Sequence, residues 1–256
     1  MKVTQKIVNH GFQEPTILGG QWWQGEGRGI TSGIKPLDRD WRPYLSQFEP
    51  QRRSIESSFC TEFGTLEGVE TIIKRKYGII ENYSERALAI LADNSPQGND
   101  PHITADTLRK SGARDEKILP FTDGITSWED LMNPAPLSKK QLENKRWAYS
   151  FAHEWEKPEP EKLWNSLQFS PLGVSVMAWR KKGEFYVKEK GERDTHWTLL
   201  VWGEYKKYWI VSDSYLDNGE RFKKLNWEYP FGFSKIYSVS KKQLGWPKNW
   251  MPCLFQ

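Results

Sequence analysis

The apolar pattern of this chain changes period once, and that change limits what it can fold into. Phe59, Phe63, Leu66, Val69, Ile72, Ile73 and Tyr77 recur at steps of three and four, the spacing of one helix face. Ser57 and Ser58 precede this run as candidate caps, Glu70 and Lys74 stand four apart as a pair, and Gly78 is a stop. Shorter helices fit Ser84 to Asp93 and Thr104 to Ser111, with a loop from Asn94 to Pro101 between them. Pro134 and Pro136 mark a boundary near residue 137. Beyond it a short helix fits Leu163 to Leu167. Strand-like runs then cover Leu172–Trp179, Phe185–Lys188, His196–Trp202, Tyr208–Ser214, Arg221–Leu225 and Phe233–Val239. Helices first and strands last predict an α+β protein, a helical lobe packed on an antiparallel sheet or barrel.

Composition narrows the function classes. With 256 residues, the chain suits one domain, or two lobes sharing a cleft, and can bury a core without staples. No run approaches the roughly 18 apolar residues of a membrane span. No apolar run follows Lys2 and Lys6, so no secretory signal is expected. Two cysteines, Cys60 and Cys253, exclude a disulfide scaffold and a cysteine-rich zinc site, and they suit a reducing, cytoplasmic setting. Net charge is +4, with the basic excess in the second half. Basic and acidic residues alternate there without a binding motif, so no nucleic-acid partner is expected. The 14 tryptophans read as core and cleft aromatics, or as a sugar-stacking surface. Gly25-Glu26-Gly27-Arg28-Gly29 has no strand before it and no helix after it, so it reads as a looped arm rather than a phosphate loop.

Three residues could do chemistry together. Cys60 opens the first helix, where unpaired N–H groups and the helix dipole favour a thiolate. His196 opens a strand and Asp213 closes the next. A hairpin turning at Gly203-Glu204-Tyr205-Lys206 sets these two directly opposite. The ordinary alternatives are a buried structural cysteine and a surface cross-strand pair. The other histidines fit less well. His10 lies in the arm, His102 follows a proline in a loop, and His153 alternates with Phe151 and Trp155 as a packed strand residue.

From about Asp40-Trp41 to Val239 the chain resembles a divergent papain-family cysteine peptidase. Cys60-Thr61-Glu62-Phe63 is similar to the nucleophile helix, and Glu81-Asn82-Tyr83-Ser84-Glu85 to the segment that follows it. Leu119-Pro120-Phe121 is similar to the family's "YPY" stretch. His196-Trp197-Thr198 and Tyr208 through Tyr215 resemble the His strand and the strand after it. The 136 residues from Cys60 to His196 fall within the roughly 130–150 of such enzymes. The resemblance implies a helical lobe over residues 51–137 and a β-barrel lobe within 138–256, with a cleft between them and an arm of residues 1–50. It implies Cys60 as nucleophile, His196 as base, Asp213 where Asn is usual, and Gln51 as oxyanion donor. Gly98 would line the substrate groove, with Trp197 and Tyr215 also at substrate. A peptide or protein substrate is implied, and neither metal nor cofactor. Departures are plain: the family's cysteine three before the nucleophile is Ser57 here, and Gln51 precedes Cys60 by nine residues instead of six. The stretch before Asp40 is too short for the family's usual propeptide. Glu49-Pro50-Gln51 ahead of an unbridged cysteine resembles small papain-like proteins of phages and mobile elements, implying a virion-associated alternative. The same triad on peptidoglycan, or a papain-fold protein without catalysis, are the other readings.

Overall fold

The computed structural model describes residues 11–17, 29–35, 37–217 and 219–242. His10, Cys253 and nearly all of the Gly/Trp segment lie outside them. Six helices are described: α1 (Cys60–Tyr77), α2 (Glu85–Leu91), α3 (Pro101–Ser111), α4 (Trp128–Met132), α5 (Lys139–Leu142) and α6 (Pro160–Ser166). Eight strands follow or interleave with the last helices: β1 (Tyr149–Glu156), β2 (Leu172–Val176), β3 (Lys181–Lys182), β4 (Phe185–Tyr186), β5 (His196–Glu204), β6 (Tyr208–Asp217), β7 (Glu220–Asn226) and β8 (Ser234–Lys241). No helix among the described residues is long and apolar enough to cross a membrane.

The strands form one sheet in the order β1-β8-β2-β5-β6-β7-β4-β3, antiparallel except where β4 meets β7. Among the described residues β1 and β3 are its edges. The expected barrel is therefore an open, strongly antiparallel sheet. The single-residue bridge of β4 to β7 and the two-residue β3 leave too short a ladder to carry the sheet round to β1.

Helix α1 lies across the middle of the sheet because its sheet-facing side is small. Cys60, Gly64 and Gly68 are four apart on one stripe. A Cβ on Gly64 would meet Trp197 Cδ1 at 2.9 Å, and one on Gly68 would meet Tyr237 at 3.1 Å and Leu199 at 3.2 Å. The helix backbone thus approaches β5 and β8 closely, and Leu66, Val69, Ile72 and Ile73 fill the core on either side with no exposure. Each such side chain contributes about 1.5–3 kcal/mol by burial. Gly78 ends α1 at φ 67, as its place in the sequence predicts. The cap and the pair differ from expectation. Phe59 is the N-cap and makes no side-chain bond there. Glu70 instead accepts the Tyr83 N–H at 2.7 Å, and Lys74 reaches the Leu45 carbonyl, because both face neighbouring chain rather than water. Asp100 caps α3 with Pro101 at its first turn, so His102 is helical and not in a loop.

Candidate active site

His196 and Asp213 meet on the sheet. Nε2 of His196 lies 2.6 Å from Oδ1 of Asp213, and both side chains are fully buried. They are diagonal neighbours, not directly opposed. β5 and β6 pair as Leu199↔Ser212 and Leu200↔Val211, then shift by one so that Gly203 faces Trp209. The turn is Tyr205-Lys206-Lys207, with Lys206 at φ 58, one residue beyond the expected position. The bulge and the longer turn together move the register by two. Side chains alternate with period two, so both residues keep the same face. Trp179 Nε1 donates to Oδ2 of Asp213, and the buried Lys223 places Nζ 3.9 Å from that oxygen. A buried carboxylate needs such partners. Trp179 meets the His196 ring edge-on at 6.0 Å, and the Tyr215 ring lies tilted against it at 5.2 Å.

Cys60 begins α1 and is also fully buried. The Trp197 amide N–H donates to its sulfur, so the thiol sits beside the residue that follows His196. The expected activation by the helix terminus does not prevail. Burial pushes the thiol well above its usual value; the Trp197 N–H lowers it, and Glu62, Glu56 and Asp213 raise it further. A helix terminus supplies about 0.3–1 kcal/mol, less than the cost of desolvating a thiolate near three carboxyl groups.

The segment before Cys60 is turned onto Glu56. The buried Gln51 donates from Nε2 to Glu56 Oε1 at 3.1 Å and accepts the Ser214 hydroxyl at 2.9 Å. The Ser58 N–H donates to the same Glu56 oxygen at 3.0 Å, and the Tyr215 hydroxyl lies near this carboxylate. The three extra residues ahead of Cys60 are absorbed in a loop that Arg52 and Glu56 close as an isolated bridge. Ser58 takes φ 54, which aims its N–H inward. On this side Pro50, Arg52, Arg53, Trp179, Ser214, Tyr215 and Leu216 line an open depression of about 530 Å3.

The other side of the site is filled by the chain's own residues 11–17. Asn99 donates to the Gly11 carbonyl at 3.0 Å, and Gln13 donates to the Asn99 carbonyl at 2.9 Å. Gln13 Nε2 also reaches the Gly98 carbonyl at 2.7 Å. A Cβ on Gly98 would lie 1.8 Å from the Gly11 carbonyl oxygen, and one on Gly11 would lie 2.2 Å from that of Ser58. Only glycine fits either position. The Phe12 ring is parallel to Trp197 at 6.1 Å and packs with Cys60 and Trp155. This packing excludes solvent from the sulfur.

The structure thus brings Cys60, Trp197, His196, Asp213 and Tyr215 together, with Gln51 joined through Ser214 and Glu56, and Gly98 joined through the arm. Sequence reasoning missed Glu56, Trp179, Lys223 and Phe12. Trp179 ends a strand-like run, which was its one signal. His153 is half-buried, near Phe151, with Nδ1 3.2 Å from Lys235 Nζ. Among the described residues, Cys60, His196 and Asp213 join no cluster of metal-ligand side chains. Among the described residues the acids close enough to share an ion are Glu49, Glu85 and Glu116.

No family model matches this sequence, and no curated protein matches it. Solved structures do match, and the fold they share with this chain is that of the papain-like cysteine proteases. Procathepsin L 3 from the larval midgut of Tenebrio molitor superposes with a TM-score of 0.58 at 17% identity, over 91% of this chain and 77% of that one. Bromelain from Ananas comosus, in complex with the E64 inhibitor, gives 0.56 at 18%, over 78% and 97%. The clostridial cysteine protease Cwp84, after propeptide cleavage, gives 0.58 at 15%, over 78% and 56%. The papain-like fold is common to all of them.

Proposed function

We propose that this chain is a papain-like cysteine peptidase with Cys60 as nucleophile. The observation that carries the reading is the buried His196–Asp213 pair next to a cysteine at the start of the central helix of a papain-like fold. Asp213 binds Nε2, which assigns the base role to Nδ1. Nδ1 takes the thiol proton, and the sulfur attacks the peptide carbonyl. The oxyanion is held by the Cys60 N–H and the Gln51 amide once Gln51 leaves Glu56. The imidazolium gives its proton to the leaving amine, and water then hydrolyses the thioester with His196 again as base. Trp197, Tyr215 and Gly98 contact the substrate. Residues 11–17 must move before any substrate enters. The chemistry uses the chain's own groups and water and asks for no cofactor. A phage or mobile-element origin rests on the Glu49-Pro50-Gln51 run.

The test is hydrolysis of an unfolded protein substrate by the native chain and by Cys60→Ala. The variant is expected to lose on the order of 10⁴ or more in kcat. Full activity in Cys60→Ala overturns the proposal. A second reading, a papain-fold protein without catalysis, is favoured by the occupied Gln51 amide and the raised thiol. An epoxide thiol probe separates the two: a non-catalytic scaffold leaves Cys60 no more reactive than Cys253.

A further inference from the structure

Three carboxylates converge on the side of the molecule where α2 begins. Glu49 comes from the loop before Pro50, Glu85 from the first residue of α2, and Glu116 from a 3₁₀ turn. Each offers an oxygen, and these oxygens lie within 4.8 Å of one another. Glu85 is 5% exposed, and its Oε2 is buried without a hydrogen-bond partner, as is Oε2 of Glu116. Among the described residues no lysine, arginine or histidine forms an ion pair with any of the three. Arg221, the guanidinium lining the adjoining cavity, is taken up by Glu67 at 2.6 Å. Glu49 accepts from Asn82 and Glu116 from the Phe121 N–H, which fixes two of the three carboxyl groups. Glu49, Glu85 and Asn82 line a small cavity of about 20 Å3, room for one water-sized particle. Asp213 and Ser214 line the same cavity.

We propose that Glu49, Glu85 and Glu116 form a divalent-cation site, and that the ion is calcium. An unpartnered carboxylate oxygen inside the protein costs several kcal/mol unless a cation or proton meets it. The donor set is oxygen only, which suits a hard cation and not zinc or copper. Calcium takes several protein carboxylates in a flexible shell, whereas magnesium keeps most of its waters and is held by one or two carboxylates, so three protein carboxylates favour calcium. The three ligands come from three separate segments, so the ion ties the Glu49 loop and the 3₁₀ turn to the start of α2. Water and nearby carbonyls complete the shell, as calcium's six to eight ligands require. This inference does not depend on the proteolytic reading.

The test uses the full chain, stripped with EDTA and titrated with CaCl2 or MgCl2 by calorimetry and by thermal unfolding. One equivalent of calcium is expected to bind, with a Tm rise of about 4 °C or more at saturation and a weaker response to magnesium. Glu85→Gln is expected to abolish uptake. Glu49→Gln, at a half-buried position where folding is retained, is expected to weaken calcium binding about tenfold or more. A folded native chain that takes up no calcium overturns the proposal, since the carboxyl groups then hold protons instead. Calcium binding unchanged in Glu49→Gln overturns it equally.

Discussion

The two sides of the candidate site, the sheet wall and the helical wall, are in different states. On the sheet, His196 and Asp213 are joined, buried and flanked by Trp179, Lys223 and Tyr215. On the helical wall, the donors ahead of Cys60 are bound to Glu56, the thiol is pushed upward in pKa, and Phe12 covers it. One side already has the arrangement the proposed chemistry needs, and the other is held away from it. The pair on the sheet is fixed by the strand ladder. The helical wall is fixed by loop contacts, which open at lower free energy than strands.

Four measurements break or sharpen that contrast. The largest effect is expected from Asp213→Ala, which removes the oxygen that Nε2 of His196 bonds, while Asp213→Asn keeps an acceptor oxygen there and is expected to be mild. The alanine variant should lower kcat about 10⁴-fold, and a loss under tenfold would mean that the pair on the sheet does not orient the base. Phe12→Ala comes next. Removing the ring that seals the sulfur should speed alkylation of Cys60 by about 10- to 100-fold, read against Cys253; an unchanged rate would mean the arm does not gate access. Glu56→Gln removes a like charge from the thiolate and weakens the hold on Gln51. The pH midpoint of Cys60 alkylation should fall, and the rate at neutral pH should rise about tenfold. A midpoint that stays or climbs would refute the role given to Glu56.

The smallest effect concerns Lys235, buried against Trp155 with Nζ 3.6 Å from the ring and near Nδ1 of His102 and His153. Burial lowers its pKa to about 7, partly offset by Asp100 and Asp106. Below pH 7 both folded and unfolded chains hold this proton. Between pH 7 and the unfolded value of 10.5 only the unfolded chain holds it, so this residue makes stability rise with pH across that window. Lys235→Met should flatten that rise and increase Tm below pH 7 by about 2–4 °C. A steeper rise in the variant would show that the ammonium is not the group at fault.

Much of the fold is written in periodicity. The three-and-four spacing from Phe59 to Tyr77 marks a helix to within a residue, and Gly78 marks its end, because both are local consequences of the backbone. The pairing of His196 with Asp213 is also legible, but its register is not. The turn holds Lys206 at positive φ without a glycine to announce it, and the bulge in β5 has no signature in its apolar residues. That the partnership survives follows from parity: a displacement by two keeps the face. Glu56 and Phe12 are invisible for another reason. Their roles arise from contacts with Gln51, Ser58 and Trp197 that depend on how loops close, and no spacing encodes that. The preference for a thiolate at a helix start is a local effect, and here three-dimensional neighbours overrule it.

The bulge between Leu200 and Trp202 has a consequence for how this chain can vary. The Val201 carbonyl accepts the Trp41 N–H at 3.0 Å, so the extra residue is anchored by the segment that leads into the helical wall. Surface hairpins ordinarily lose or gain a residue with little harm. Here the place of the loss decides: excising the bulged residue itself keeps Leu200 opposite Val211 and Trp202 opposite Ile210, whereas excising one residue between His196 and Leu200 would turn the imidazole to the opposite surface from its carboxylate. A short deletion far from the sulfur would thus part the imidazole from its carboxylate while leaving the sheet standing.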